Sequence, residues 1–429
     1  MSNESETLQK TKSLADVATD EDKLFHDGYV NGIAGFIKGC ATPMTIAIQG
    51  DWGTGKTSLT KLVEAKLRSE DESAECENPH AGKYDKDIIG VATVDVWQHY
   101  SVNPNADLLD ALLNEMISKL SGIDLAAVKG VSEFAIAVSQ LIALDDDSAG
   151  AQDKSLFDSI LSWLAGPGDE KKTKQPQQET VSADDVREFQ DSFIDTLEKL
   201  AEKNGKSETS RFVVFVDGLD HIKSEAAVTL MEQIKTYLDC PRCVFVLSVD
   251  EKTVFDGVTK KLGDDVDEAR KKLIFDKLVQ VPFRIPSSAY NLDKYVKDLM
   301  EGREGLSGDF AAVIDILLKN PTLRCIKRCL NTMYLYLSVF GGMDNIEDDS
   351  LVMLLAAVIL QVESPQSIDA IARRAEECSD ENLDATLESL EFDNRINWSM
   401  LPALWKDKES GAVNAEKRDM FLSWIRDLA

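Results

Sequence analysis

Short runs of apolar, β-branched residues alternate along residues 44–285 with stretches whose apolar positions recur every three to four residues. Unbroken apolar runs of this kind predict strands buried on both faces, and the intervening spacing predicts helices. Strands buried on both faces are typical of a parallel sheet covered by helices. The predicted strands are MTIAIQ (44–49), IIGVATVDV (88–96), RFVVFVD (211–217), CVFVLSVD (243–250) and LVQVPFRI (278–285).

A long segment, residues 97–210, separates the second predicted strand from the third, and one crossover helix does not need that length. Its middle combines two apolar helical pieces with a segment rich in Pro, Gln and charge that we predict to be a flexible linker. After residue 290 the apolar spacing is helical throughout. The predicted divisions are a flexible N-terminal segment (1–22), a core in two parts (23–122 and 184–289), a helical insertion with its linker (123–183) and a C-terminal helical domain (290–429).

The segment GDWGTGKT, residues 50–57, follows the first predicted strand and opens a helix. It matches the phosphate-loop pattern G-x-x-x-x-G-K-[ST], in which glycines let successive backbone N–H groups point at phosphate oxygens. Lys56 is expected to reach the β- and γ-phosphates, and the Thr57 hydroxyl to bind Mg²⁺. The expected nucleotide-binding residues are Gly50, Trp52, Gly53, Thr54, Gly55, Lys56, Thr57 and Ser58. The pattern and the loop together predict an α/β fold, a P-loop NTPase core with a parallel sheet, a helical insertion and a C-terminal helical region.

The third predicted strand ends at Asp217, and a second acidic residue, Asp220, follows three residues later. Asp217 at the strand's carboxyl end is expected to hold Mg²⁺, and Asp220 to polarise the attacking water. The alternative is that these carboxylates only cap the following helix.

Composition narrows the classes of function. The chain has 47 Lys and Arg against 76 Asp and Glu, a net charge of −29, which disfavours a nucleic-acid motor. No apolar run reaches the roughly 18 residues of a membrane span, and the segment 350–362 is better explained as a buried helix. Residues 1–20 are polar and acidic, unlike a signal peptide, and seven scattered cysteines suit reduced thiols, so we expect a cytoplasmic protein.

Two cysteine pairs have spacings that also occur in zinc sites, Cys240 with Cys243 and Cys325 with Cys329. A zinc site built from both pairs would require them to converge. We expect unliganded thiols.

Several ordered motifs resemble those of the KAP family of P-loop NTPases, over about residues 25–340. A Trp-Gly pair, Trp52-Gly53, precedes Gly-Lys-Thr as in the family's phosphate loop. The other similar segments are VATVDVWQHY (91–100), VVFVDGLDHI (213–222), YLDCPRCVFVLSVDEKTV (237–254), FDKLVQVPFRIP (275–286) and NPTLRCIKRCLNTM (320–333).

The resemblance also shows where this chain departs from the family. Asp95-Val96 replaces Asn-Ala before Trp97, and Gly218 and His221 replace an acid and an arginine in the Asp-Asp-Leu-Asp-Arg motif. By position, Arg324 best matches the arginine of the family's Asn-Pro-Arg segment, with a shift of two residues, and Arg328 lies four residues further on. Both arginines are candidates to reach the γ-phosphate, and the alternative is an ordinary exposed basic face.

The resemblance implies an Mg²⁺-dependent ATPase that couples ATP binding and hydrolysis to conformational change or assembly. The alternative is a nucleotide-gated scaffold that binds ATP and oligomerises with little hydrolysis. KAP proteins are associated with bacterial anti-phage systems and, in animals, with membrane-linked signalling. For this chain we expect ATP and Mg²⁺ as ligands, a homo-oligomer, a separate effector protein, and neither membrane nor direct nucleic-acid binding.

Overall fold

The computed structural model describes residues 27–68, 84–102, 108–120, 183–203, 205–207, 209–263, 265–286, 292–300, 309–340, 347–377, 395–407 and 410–429, with single positions 104 and 387. The predicted N-terminal segment and nearly all of the predicted insertion lie outside the described residues. The chain divides into two compact units. One comprises Asp27–Gly50 and Lys56–Ile285, and the other includes Asp51–Gly55 and Pro286–Ala429.

The first unit, here called the α/β unit, contains five parallel strands in the order β2-β3-β4-β1-β5. The predicted α/β fold with a parallel sheet is therefore confirmed. The strands are β1 (Met44–Gln49), β2 (Ile88–Asp95), β3 (Arg211–Asp217), β4 (Cys243–Ser248) and β5 (Val281–Arg284). The helices are α1 (Asp27–Gly39), α2 (Lys56–Leu67), α3 (Val96–Val102), α4 (Leu108–Leu120), α5 (Ala183–Lys203), α6 (Ser224–Tyr237), α7 (Glu251–Leu262) and α8 (Glu268–Leu278), with a 3₁₀ turn at Leu219–His221.

The core of this unit lies along the central strands. Every residue of β4 is buried, and in β3 only the last, Asp217, is partly exposed. Because these strands are covered on both faces, their sequences are continuously apolar instead of alternating. The apolar stretch ends at the carboxyl edge of the sheet, and this is where the polar side chains begin.

The second unit, here called the helical unit, contains α9 (Leu292–Met300), α10 (Phe310–Leu317), α11 (Leu323–Val339), α12 (Asp348–Glu363), α13 (Pro365–Glu377) and α14 (Ala415–Leu428), with a 3₁₀ segment at Trp398–Leu404. All residues from Met353 to Leu360 of α12 are buried, which confirms the prediction of a buried helix there. Side-chain caps begin three of these helices, since Thr322, Asp309 and Asn414 accept backbone N–H bonds. Within the described residues, no helix combines the length and apolar character needed to cross a bilayer.

Candidate nucleotide site

The phosphate loop joins β1 to α2, as the sequence predicts. Gly53 and Gly55 have φ of 86° and 94°, a left-handed conformation that side-chain-bearing residues rarely adopt. The turn is closed by Thr54, whose N–H and hydroxyl both donate to the carbonyl oxygen of Asp51, at 3.2 and 2.8 Å. The loop therefore has the backbone curvature that a phosphate cradle requires.

Lys56 begins α2 and lies against Asp220 on the 3₁₀ turn after β3. Their Nζ and Oδ2 atoms are 2.9 Å apart, with side-chain exposures of only 10% and 11%. The ammonium also donates to the carbonyl oxygen of Gly50 at 2.6 Å, and Asp220 Oδ1 accepts from the N–H of Asp250 at 2.7 Å. Asp220 thus joins the loop lysine to the end of β4, a contact between residues far apart in sequence.

Thr57 and Asp217 line one cleft of about 180 Å³ between α2 and the ends of β2 and β3. These are the two predicted metal ligands. Their hydroxyl and carboxylate oxygens are the donors that Mg²⁺ prefers. The other lining residues are Thr60, Lys61, Glu64, Thr93, Asp95 and Phe215.

Sequence reasoning did not single out Glu64, although its position seven residues after Thr57 places it on the same face of α2. Glu64 accepts a hydrogen bond from the Thr93 hydroxyl at 2.9 Å and pairs with Arg68 at 3.0 Å. Glu64 and Asp95 therefore bring two carboxylates to the cleft besides Asp217, and Lys61 also lines it.

The tip of the loop belongs to the helical unit. The Arg324 guanidinium lies over the ring of Trp52, 5.2 Å from its centroid, as a cation–π pair. The Trp52 residue remains 70% exposed. A Cβ on Gly53 would lie 2.8 Å from the Arg324 Cβ and 3.3 Å from the Thr322 hydroxyl oxygen. Loop tip and α11 are consequently in close contact within this unit.

Two more predicted residues, Arg328 and Ser58, and two further polar residues, Arg284 and Ser248, differ in their exposure. Arg328 is exposed on α11, and Arg284 is exposed at the end of β5. Ser248 ends β4 with 1% exposure, and its hydroxyl has no hydrogen-bond partner among the described residues. Ser58 follows Thr57 in the first turn of α2 and is half-buried.

The residues present fit a nucleoside triphosphate with Mg²⁺. The left-handed glycines form the cradle, Lys56 supplies a cation, and Thr57 and Asp217 offer oxygen ligands in one cleft. The buried, unpaired Ser248 hydroxyl is a further donor at the strand ends.

The family model described as the KAP family P-loop domain matches residues 26–340, well over half of the chain. The chain belongs to the KAP family of P-loop NTPases. Among solved structures, this KAP chain is similar to the ORC2 protein of Aeropyrum pernix, solved as ADPNP–ADP complexes, with a TM-score of 0.38 and 12% identity over 94% of each chain. A comparison with curated proteins finds no match.

Two positions that depart from the KAP motifs lie against the end of the second strand. Gly218 has φ of 82°, and a Cβ there would lie 2.9 Å from both Asp95 Oδ1 and Trp97 Cβ. The second position, His221, packs edge-on against the ring of Trp97 at 5.7 Å. Any side chain at 218 would be too close to Asp95 and Trp97 in this arrangement, so the local backbone requires glycine there.

Proposed function

We propose that this KAP protein is an Mg²⁺-dependent ATPase whose cycle of ATP binding and hydrolysis drives conformational change or assembly. The main support is the contact of Lys56 with Asp220 at 2.9 Å, beside the cleft that Thr57 and Asp217 line. A loop lysine, a hydroxyl ligand and acidic strand ends are the groups that phosphoryl transfer to water needs.

Each residue has a part in this proposal. The loop N–H groups and Lys56 bind the phosphates, while Thr57 and Asp217 hold Mg²⁺, which would neutralise charge on the β- and γ-phosphate oxygens. When the phosphates arrive, Lys56 exchanges its bond to Asp220 for one to the γ-phosphate. Asp220 is then free to accept a hydrogen bond from the attacking water, with Asp250 N–H still fixing its other oxygen.

The Lys56→Ala variant tests the proposal. Loss of the ammonium should abolish measurable ATP hydrolysis and weaken nucleotide binding, because this group is the main mobile counter-charge on the phosphates. Lys66→Ala is the control and should keep wild-type turnover, since Lys66 lies in the last turn of α2 and does not line the cleft. Unchanged turnover in Lys56→Ala would contradict the assignment of residues 50–57 as the phosphate-binding loop.

The second candidate is a scaffold that binds ATP, assembles and hydrolyses little. It is favoured by His221, which stands where the KAP motif carries an arginine and packs edge-on against the ring of Trp97. Single-turnover hydrolysis with enzyme in excess separates the two: conversion of the bound ATP to ADP and phosphate supports the ATPase, and retention of intact ATP supports the scaffold.

The cellular setting is proposed from the KAP resemblance. We place the protein in the cytoplasm, acting with a separate effector protein in anti-phage defence, without direct nucleic-acid binding. Plaque counts on a bacterial host expressing the chain, compared with the same host expressing Lys56→Ala, test the defence role. Equal plaque numbers in the two strains and the empty host would contradict it.

A further inference from the structure

Two thiols and a buried carboxylate meet in the helical unit. Cys325 and Cys329 are four residues apart on α11, so they share one face of the helix, and Glu363 is the last residue of α12. Their ligand atoms all lie within 4.8 Å of one another. The Cys325 Sγ and Glu363 Oε1 atoms are 3.4 Å apart.

The cluster is largely buried, which distinguishes it from the groups of acidic residues that are common on protein surfaces. The Glu363 side chain is 4% exposed and Cys329 is fully buried. Arg395 binds the carboxylate from its other side, with Nη1 3.0 Å from Oε2. The ion pair therefore holds Glu363 in the orientation that directs Oε1 at the sulfur atoms, as outer partners of metal-binding carboxylates do.

The distances fit a tetrahedral metal. With metal–sulfur and metal–oxygen bonds of about 2.3 and 2.0 Å, neighbouring sulfur and oxygen ligands lie about 3.5 Å apart. The 3.4 Å between Cys325 Sγ and Glu363 Oε1 matches that edge. Sulfur ligands disfavour Mg²⁺ and Ca²⁺ and favour Zn²⁺.

We propose that Cys325, Cys329 and Glu363 bind Zn²⁺, with a water or a further ligand in the fourth position, and that this ion clamps α11 to the end of α12. This site is separate from the proposed nucleotide site and does not depend on it. The sequence analysis expected unliganded thiols because a zinc site built from cysteines alone would need both cysteine pairs to converge. In the proposed site one pair is sufficient, since the third ligand is a carboxylate 34 residues beyond Cys329 in the chain.

Charge and protons balance at such a site. Binding converts two thiols to thiolates and releases two protons to solvent. Two thiolates, one carboxylate and Zn²⁺ leave one negative charge, which Arg395 offsets. Because protons compete with the metal for both sulfur atoms, zinc affinity should fall as the pH is lowered.

Metal analysis of the purified full chain tests the site. After loading with ZnCl₂ and dialysis, we expect about one zinc ion per chain, and close to none in Cys325→Ser/Cys329→Ser. Cys40→Ser is the matched control, because Cys40 is a buried thiol in the α/β unit and should retain the full zinc content. Equal zinc content in wild type and the double variant, or none in wild type, would overturn the proposal.

A second measurement does not depend on the serine variants folding. Cobalt added to the wild-type chain should produce the thiolate-to-metal charge-transfer absorption of a tetrahedral sulfur site, and zinc should displace it. Glu363→Gln should keep that band but weaken zinc affinity at least roughly tenfold in competition with a chromophoric chelator. Absence of the band, or affinity unchanged in Glu363→Gln, would contradict the three-ligand site.

Discussion

At the scale of single residues, the pairing of Lys56 with Asp220 is the contact on which the proposed chemistry most depends. Both side chains are about nine-tenths buried, and besides the ion pair each forms a hydrogen bond with a backbone group. Removing one member of such a pair leaves the other with an unfavourable buried charge. An isosteric substitution keeps the packing and the contact with the backbone, so its effect isolates the role of the charge.

Asp220→Asn is such a substitution. Asparagine keeps an oxygen for the Asp250 N–H but loses the charge, so we expect nucleotide binding to be retained and turnover to fall at least roughly tenfold. Calorimetric titration with a non-hydrolysable ATP analogue and a steady-state phosphate assay give the two quantities. A parallel loss of affinity and rate would make Asp220 a structural or metal-binding residue instead.

Gly53→Ala tests whether the loop must keep its left-handed turn. The φ of 86° and the 2.8 Å approach to the Arg324 Cβ leave no room for a methyl group. Strain of about 1–2 kcal/mol should distort the loop and lower ATP affinity about tenfold. Gly411→Ala is the control, since Gly411 also has a positive φ, 68°, but nothing within 4 Å of the added Cβ. Calorimetry should show wild-type affinity for it, and a similar loss in both variants would contradict a specific role of the loop.

At the scale of elements, the contact of α6 with α7 depends on a glycine. A Cβ at Gly257 would lie 2.2 Å from the carbonyl oxygen of Ser224 and 2.6 Å from Val228 Cγ2. Gly257→Ala should therefore lower the free energy of unfolding by about 1–3 kcal/mol, the usual cost of overpacking. Urea denaturation measures this quantity.

The matched variant is Gly35→Ala on α1, where the added Cβ meets nothing within 4 Å. Alanine there should raise the free energy of unfolding by about 0.5–1 kcal/mol, because it reduces the entropy lost on forming a helix. Opposite signs for the two variants are the expected result. Stabilisation by both would show that α6 and α7 can separate without cost.

The strands were largely predictable from sequence, because a buried parallel strand has a continuous apolar pattern. The bounds of β1 and β3 match the predictions. β5 begins three residues later than predicted, since Leu278 is the buried end of α8 and periodicity cannot distinguish such a residue from a strand. β4 ends two residues earlier, because Asp250 occupies the N-cap position of α7.

The site was predictable only where the chemistry is local. The phosphate loop is one continuous motif, and its strand and helix flanks follow from periodicity. The contacts of Lys56 with Asp220, of Trp52 with Arg324 and of Cys325 with Glu363 join residues that the chain places far apart. A single sequence contains no signal for such pairings, and they depend on how the helices pack.

At the scale of the whole molecule, one group of the proposed reaction has still to be assigned. His221 stands where the KAP motif has an arginine, so another residue has to supply the positive charge that stabilises the transition state. Phosphoryl transfer commonly requires an arginine beyond the loop lysine. Arg324 and Arg328 are candidates within the chain, and the exposed Arg284 is a candidate from a neighbouring subunit. The proposed homo-oligomer follows from the second possibility.

We therefore expect turnover per chain to rise with protein concentration, and ATP to favour the larger species in sedimentation velocity. Arg284→Ala should remove the concentration dependence while leaving the low rate of the dilute protein unchanged. A rate per chain that stays flat over a wide concentration range would exclude donation between subunits and direct mutagenesis to Arg324 and Arg328.

The exposed Trp52 gives the loop an optical property of its own. Its indole is mostly in water and lies against a guanidinium, whereas Trp398 and Trp405 are buried. Water relaxes around an excited exposed indole and shifts its fluorescence to longer wavelength. Trp97 is 49% exposed and emits there too, so the contribution of Trp52 to the long-wavelength emission has to be separated. Subtracting the spectrum of Trp52→Phe isolates that signal, and the loop can then be followed during nucleotide arrival without an added dye.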